Sequence, residues 1–467
     1  MENNFYRITQ SGSKTIVDIY KAKLLKFWDE LGFKKLKMPK GGYSLVQIKN
    51  NSIISEVQKE ELMHAVKYKL LNEDDVPLVW EEFLSGDYIN KNNYLALETI
   101  RELRLNLSTK NTAYFFFRNG VLKVTPNTMD IIDYNDYQGY IHEDQIIQHD
   151  INLENNQQSE FDEFLKKVSG NDEARYQSLT TAIGYLLHSY KDLALTKAII
   201  LVDEELDFSG EANGGTGKSI IAKAVQYMTS SIFKDGKALH HKSNRFFYQD
   251  INLYHRVLII DDVNVDFEFE TFYSVITGEM QVEEKYKAAY KIPFELTPKL
   301  LITSNYMVKG SGGNSDERRR IEIEIFPFYK RDFTPIDDFK HRFFSDWKQE
   351  EWNHFFIGMA KYCQNYLRSG IVYPTPINLA ENKLKQNTDQ SFVEFADLNL
   401  IIPTDKDSNT LNKATLYDDY RHAYPVESRN VTAIKFKKWI DEYCKFRGLE
   451  AYHFKSDSNN LIKITKI

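Results

Sequence analysis

The stretch SGEANGGTGKSII, residues 209–221, decides how this chain is read. Its end, Gly217-Lys218-Ser219, closes a pattern near G-x-x-x-x-G-K-[ST], a loop whose backbone N–H groups cradle phosphates. The first position of that pattern holds Ala212 instead of glycine. A methyl is tolerated there if φ is negative, and Gly214, Gly215 and Gly217 supply the positive φ angles such a loop needs. Asn213, Gly214, Gly215, Thr216, Gly217, Lys218, Ser219 and Ile220 are therefore expected to surround a nucleotide. Lys218 would reach the β- and γ-phosphates, and the Ser219 hydroxyl would bind Mg²⁺.

The loop's context fits. KAIILV (197–202) is a short apolar run typical of a buried strand, and IIAKAVQYM (220–228) reads as a helix. The intervening DEELDFSGE predicts a small excursion between strand and loop. An ATPase needs one carboxylate for Mg²⁺ and another to polarise water. RVLIID ends in Asp261-Asp262, which assigns Asp261 to the metal and Asp262 to the attacking water. KLLITSN ends in Asn305, placed to sense the γ-phosphate from a neighbouring strand. DERRR offers Arg318, Arg319 and Arg320 to neutralise charge in the transition state. Taken singly, an acid capping a strand, an asparagine in a turn or a salt-bridged arginine run is commonplace; the argument rests on their order.

The chain has 467 residues, 42% hydrophobic and 27% charged, which is ordinary for a folded protein of two to four domains. Two distant cysteines, Cys363 and Cys444, exclude a disulfide framework or a Cys-based zinc module and fit a reducing cytoplasm. The eleven histidines show no metal-binding spacing. The start, MENNFYRITQ, does not read as a signal peptide, and no apolar run is long enough to cross a bilayer, so no membrane partner is expected. The net charge is −7, yet residues 431–467 carry +4. A basic end on an acidic body hints at a polyanion-binding module.

Five segments are expected: an α+β accessory part over 1–155, a helical lead-in over 156–195, a parallel α/β core over 196–330, a helical extension over 331–372 and a basic module over 388–467. In the first, apolar residues at helical spacing predict a helix over 14–31, YSLVQI predicts a strand, and AYFFFRNGVLKVT predicts a hairpin turning at Asn119-Gly120. LENNQQSE (153–160) reads as a linker, 161–190 as helical, 350–367 as a helix and 372–390 as a second linker. Helices over 413–423 and 433–446, then strands at EAYHF and NLIKITKI, give the order of a winged helix-turn-helix.

The order of loop, acid pair, Lys-rich segment, TSN and arginines resembles superfamily 3 helicases, a branch of the AAA+ (ASCE) P-loop ATPases. It is most similar to the helicase part of primase-helicase proteins of phages, plasmids and large DNA viruses. The resemblance covers about 161–328. It implies a hairpin between the acid pair and TSN, whose tip lysine and ring grip single-stranded DNA inside a ring's pore; the matching residues are Lys285, Tyr286 and Lys287. It implies a hexameric homo-oligomer with Arg319 or Arg320 acting on the neighbour's nucleotide, Arg318 being extra, and 3′→5′ movement on forked DNA. Ala212 and the insertion before the loop depart from the family.

The upstream acids Asp130, Asp133 and Asp136 have the wrong spacing for a priming site and read as loop acids. A helicase driven by ATP and Mg²⁺, with any primase or initiator supplied separately, is the first reading. A nucleotide-switched DNA-binding or defence regulator is the second, and a duplex-DNA packaging or remodelling motor the third.

Overall fold

A computed structural model describes residues 4–38, 41–71, 76–90, 95–100, 103–205, 215–237, 245–286, 288–310, 314–402, 407–456 and 459–466. The chain starts with a hairpin, β1 (Tyr6–Ser11) and β2 (Lys14–Ile19), followed by α1 (Lys21–Glu30). The helix expected over 14–31 is thus half strand. Thr15, Ile16, Val17 and Ile19 are β-branched, and Gly12 at φ 64° makes the tight turn that returns them onto β1. Next come β3 (Phe33–Lys37), β4 (Tyr43–Lys49), β5 (Ile53–Glu56), α2 (Lys59–Leu70) and α3 (Val76–Ser85). The hairpin β6 (Ala113–Phe117) and β7 (Gly120–Val124) turns through Arg118-Asn119, one residue earlier than expected. It is extended by β8 (Met129–Ile132), while β9 (Ile141–His142) closes the sheet β3-β4-β5-β9. Asp130 lies on β8 and Asp133 caps the short turn after it, and both are exposed, as is Asp136.

Two helices follow in place of the single one expected: α4 (Glu160–Val168) and α5 (Glu173–Leu187), broken where Gly170 and Asn171 take φ 69° and 54°. The central elements are then β10 (Ala198–Asp203), α6 (Lys218–Met228), β11 (Ser231–Asp235), β12 (Val257–Val263), α7 (Tyr273–Thr277), β13 (Met280–Val282), β14 (Tyr290–Ile292), β15 (Lys299–Ser304), α8 (Asn314–Glu317) and β16 (Arg320–Ile325). Five of them form one parallel sheet in the order β11-β12-β15-β10-β16. The edge strand β11 was not anticipated from SIFKD, which has no apolar run of its own.

All six residues of β10 are buried, because both faces of the sheet are covered. The two-residue period divides them. Ile199 and Leu201 pack with Ile221, Val225, Ile259 and Ile323 under α4, α5, α6 and the long helix α10 (Gln349–Ser369). Ala198, Ile200 and Val202 pack with Leu258, Ile260, Ile302, Phe269 and Phe272 on the other face. The first of these cores runs across position 155: Phe115, Phe117 and Leu122 of β6 and β7 share it with Phe355 and Phe356 of α10. Residues 152–155 are held to that helix, since Asn353 Nδ2 donates to the carbonyls of Asn152 and Asn155 at 3.0 and 2.9 Å.

Before α10 lies α9 (Pro335–Phe339). After it, the stretch 372–390 read as a linker contains α11 (Leu379–Asn387). Leu384 is buried, Lys383 pairs with Glu322 at 2.5 Å, and Gln386 exchanges hydrogen bonds with the backbone of Met307. The final part runs α12 (Gln390–Asn399), β17 (Ser408–Asn412), α13 (Lys413–Ala423), α14 (Ala433–Phe446), β18 (Leu449–Ser456) and β19 (Asn459–Lys466), with the antiparallel order β17-β19-β18. Its own core centres on Phe392, Tyr420, Phe436, Trp439 and Ile464. Among the described residues, no helix is long and apolar enough to cross a membrane.

Candidate active site

Ala212, Asn213 and Gly214 lie outside the described residues, as does most of the expected excursion before the loop. The rest of the loop enters α6. Gly215 and Gly217 take φ 118° and 104°, and Gly217 caps the helix. A Cβ at Gly217 would stand 2.5 Å from the ring of Phe164, so no larger residue fits. The positive end of the helix therefore faces the loop. Ile220 packs at the margin of the main core.

Lys218 and Thr216 are both buried, at 6% exposure. Their partner is a residue the sequence reading passed over, Asp203, the last of β10. Asp203 Oδ1 accepts from Thr216 Oγ1 at 2.6 Å and from the Lys218 ammonium, which also donates to Thr216 Oγ1 at 3.1 Å. Burial lowers the pKa of Lys218, and the Asp203 carboxylate opposes that shift, with smaller help from Asp262 and Asp261. An acid directly after a buried strand and before a glycine-rich loop was the available signal.

Asp261 and Asp262 stand at the carboxyl end of β12. The Asp261 carboxylate accepts from Ser219 Oγ at 3.2 and 3.1 Å and from Thr303 Oγ1 at 2.6 Å. Thr303 in turn accepts the N–H of Asp262 at 2.8 Å. The register between β12 and β15 shifts between Ile260 and Val263, and Asp262 takes φ 57°. That turns its side chain away from Asp261. Asp262 Oδ1 accepts from Asn305 Nδ2 at 2.8 Å, and its Oδ2 pairs with Lys237 at 2.5 Å. The Asp262 hydrogen bond and charge raise the pKa of Lys237. Lys237 was also missed: it follows β11, the strand that the sequence did not reveal. Gly236 beside it donates to the Asp261 carbonyl at 2.6 Å, and a Cβ there would meet that oxygen at the same distance.

Ser219, Asp261, Asp262, Thr303 and Asn305 thus converge from three segments at the carboxyl end of the sheet. Among the described residues, no group of three or more His, Cys, Asp or Glu could hold a metal alone. The hydroxyl and carboxylate of Ser219 and Asp261 are hard oxygen donors of the kind Mg²⁺ takes when substrate phosphates complete its shell.

The arginines lie elsewhere. Arg320 stands opposite Ala198, at the start of β10, whereas Asp203 ends that strand. Five residues of strand put about 16 Å between the two levels. Arg320 is tied to Asp316 at 2.7 Å and to the Val308 carbonyl at 2.9 Å, with little exposure. Arg319 donates to the carbonyl and hydroxyl of Ser315 at 2.6 Å and lies 4.7 Å from the Tyr273 ring. Arg318 is exposed.

β13 and β14 form a separate antiparallel hairpin, with Met280 opposite Ile292 and Val282 opposite Tyr290. Met280, Val282 and Ile292 are buried and anchor its base. Lys285 and Tyr286 project at the tip; Tyr286 is 94% exposed, with φ 64° and the Lys285 ammonium 5.3 Å from its ring. Lys287 lies outside the described residues.

A family model described as a family of unknown function, DUF5906, matches residues 209–320, the interval from the glycine-rich loop to Arg320. No curated protein matches the chain. Among solved structures, the A-form apo structure of the NrS-1 C-terminal region aligns at 11% identity over 95% of this chain and 98% of that one, with a TM-score of 0.43. Drosophila ORC bound to DNA aligns at 10% identity over 66% of this chain and 84% of that one, with a TM-score of 0.17. Scores this low leave the fold to be defined by the chain's own topology.

Proposed function

We propose that the chain is an ATP-driven DNA helicase of the superfamily 3 kind, built on a P-loop AAA+ core and serving replication of a phage, plasmid or other mobile element. The observation that carries this reading is the meeting of Ser219 with Asp261, and of Asp262 with Asn305, at the carboxyl ends of β12 and β15 beside the start of α6. Open parallel sheets bind their ligands outside the carboxyl ends of the strands. Lys218 and the α6 N-terminus would hold the phosphates, and Ser219 and Asp261 the Mg²⁺. Asp262 would take the proton of the attacking water, oriented with Asn305.

The distance of Arg319 and Arg320 from this chain's own loop supports action on a neighbouring subunit's nucleotide, hence a ring, for which a hexamer is proposed. The exposed Lys285-Tyr286 tip suits a strand of DNA: the ammonium pairs with phosphate and the ring offers a stacking face. The order helix, strand, two helices, hairpin over residues 390–466 supports a winged-helix module, whose exposed Lys435, Lys437 and Lys438 would meet the DNA backbone. Movement 3′→5′ is part of the proposal. The test is ATP hydrolysis with and without single-stranded DNA, for the wild type and Lys285→Ala. The helicase reading expects DNA to raise the rate and the substitution to erase the rise.

A nucleotide-switched regulator without unwinding is the second reading. The Lys237–Asp262 ion pair favours it, because it engages the carboxylate that hydrolysis needs. Hydrolysis indifferent to DNA, with no strand displacement on a forked duplex, would bring that reading to the front.

A further inference from the structure

Strand β10 ends on a buried carboxylate for which the reaction above has no use. Asp203, 2% exposed, gathers both the Thr216 hydroxyl and the Lys218 ammonium on one oxygen. The two sides of this contact differ in freedom. Asp203 is fixed by its backbone, opposite Ile325 in parallel register. The next residue, Glu204, donates its N–H to the Ile325 carbonyl at 3.1 Å, pairs with Arg175 at 2.7 Å, and takes Asn382 on its own carbonyl at 3.0 Å. Lys218 carries its cation at the end of a flexible four-carbon arm on the first residue of α6. The contact therefore opens by the lysine moving while the aspartate stays.

Resting on the nucleotide reading above, we propose that Asp203 is a displaceable counter-ion for Lys218, which competes with the phosphates of a bound nucleotide for that ammonium and so limits nucleotide affinity. A buried ammonium is costly without a partner, so Asp203 keeps Lys218 charged and placed. A phosphate chain offers the same charge complement but must draw the ammonium away first. After the exchange, the Asp203 charge remains near the phosphates and repels them. Both effects oppose binding, and the apparent affinity falls by the fraction of molecules whose lysine is free to move. Return of Lys218 to Asp203 then helps product nucleotide to leave. Asp203 is in this sense a positioning residue that touches no reacting atom.

The experiment is calorimetric titration of Mg–ADP into the full chain as wild type, Asp203→Asn, Asp203→Ser and Lys218→Ala, with melting temperature read for each with and without Mg–ADP. Asparagine keeps the shape and still accepts from Thr216, but removes the charge. Asp203→Asn should bind about ten-fold tighter than wild type and gain more melting temperature from the ligand, while Lys218→Ala binds weakly. A purely structural aspartate would give equal or weaker binding in Asp203→Asn; with wild type still binding, that overturns the counter-ion and leaves the nucleotide reading standing. Binding by Asp203→Asn alone supports both. Binding by neither overturns both. Variants that fold only with Mg–ADP support the proposal, because the ligand then replaces the missing charge. Variants unfolded under both conditions overturn it, since a contact that nucleotide breaks is not one the fold requires.

Discussion

Asp262, the proposed base, is held in an unusual backbone state. Its φ of 57° lies in the left-handed region, which Asp and Asn tolerate better than most side chains. Asp262→Asn should therefore keep the fold and nucleotide binding, yet lower hydrolysis about 10²-fold or more, read as phosphate release. Turnover near the wild-type rate would remove Asp262 from the role of base. Far from this site, Glu351 is a carboxyl group shifted by burial. Burial raises the pKa of Glu351 from 4.5 to about 7, with the nearby Glu160 adding to it while the Glu160 N–H it accepts at 2.8 Å opposes it. The folded state thus holds more protons than the unfolded chain between those values, so Glu351 subtracts stability as pH rises through that window and continues to do so above it. Glu351→Gln should raise unfolding stability by about 1–2 kcal/mol at pH 8, after discounting the shift for partial exposure, with no gain below about pH 4.5. Denaturant titrations at the two pH values check this. The acid pair, the loop lysine and Asn305 were legible as residues. Asp203, Thr303 and Lys237 were not, because each matters only through a partner distant in sequence.

Elements were legible where period and length agreed. The helices α13 and α14, and the strands β10, β12 and β15, fall close to their expected places because each has an unbroken apolar pattern. The failures have local causes. Residues 14–19 satisfy a helical period and a β propensity at once, and the turn at Gly12 settles the choice. Residues 379–387 are polar enough to read as a linker, and the helix forms where Leu384 finds a buried site and Gln386 a backbone partner. Helix pairing is equally specific. At Gly184, where α5 meets α10, a Cβ would lie 2.2 Å from the Tyr362 carbonyl oxygen. Gly184→Ala should cost roughly 1–3 kcal/mol by forcing the helices apart, despite alanine's better helix propensity, and thermal denaturation would register it. A neutral or stabilising result would mean that the helices separate freely.

For the whole molecule, the sheet order is the deciding feature. Placing β15 between β10 and β12 brings Thr303 and Asn305 beside the acid pair, and the parallel pairing of β16 with β10 leaves Arg320 at the opposite end of the sheet. A site completed by a neighbour predicts complementation. Arg319→Ala and Lys218→Ala subunits, each inactive alone, should recover part of the ATPase rate when mixed, because some interfaces then hold an intact lysine and an intact arginine. No recovery at any mixing ratio would argue against action between subunits. Arg320 is a poorer subject for that assay, since removing it strands the buried Asp316 and costs stability as well as any catalytic role.

The sequence by itself determined the groups that the chain brings: a glycine-rich loop ending in Gly217-Lys218-Ser219, paired acids on a buried strand, a polar strand end, a Lys-Tyr hairpin tip and a run of arginines. These are local patterns, written within a few residues by glycine content, charge and apolar period. Only the tertiary structure decided which of them meet. Sheet order, the bulge that turns Asp262 toward Asn305 and Lys237, the level of the arginines and the pairing of Lys218 with Asp203 all depend on contacts between distant segments. Backbone hydrogen bonding and burial set those contacts, and no local period records them.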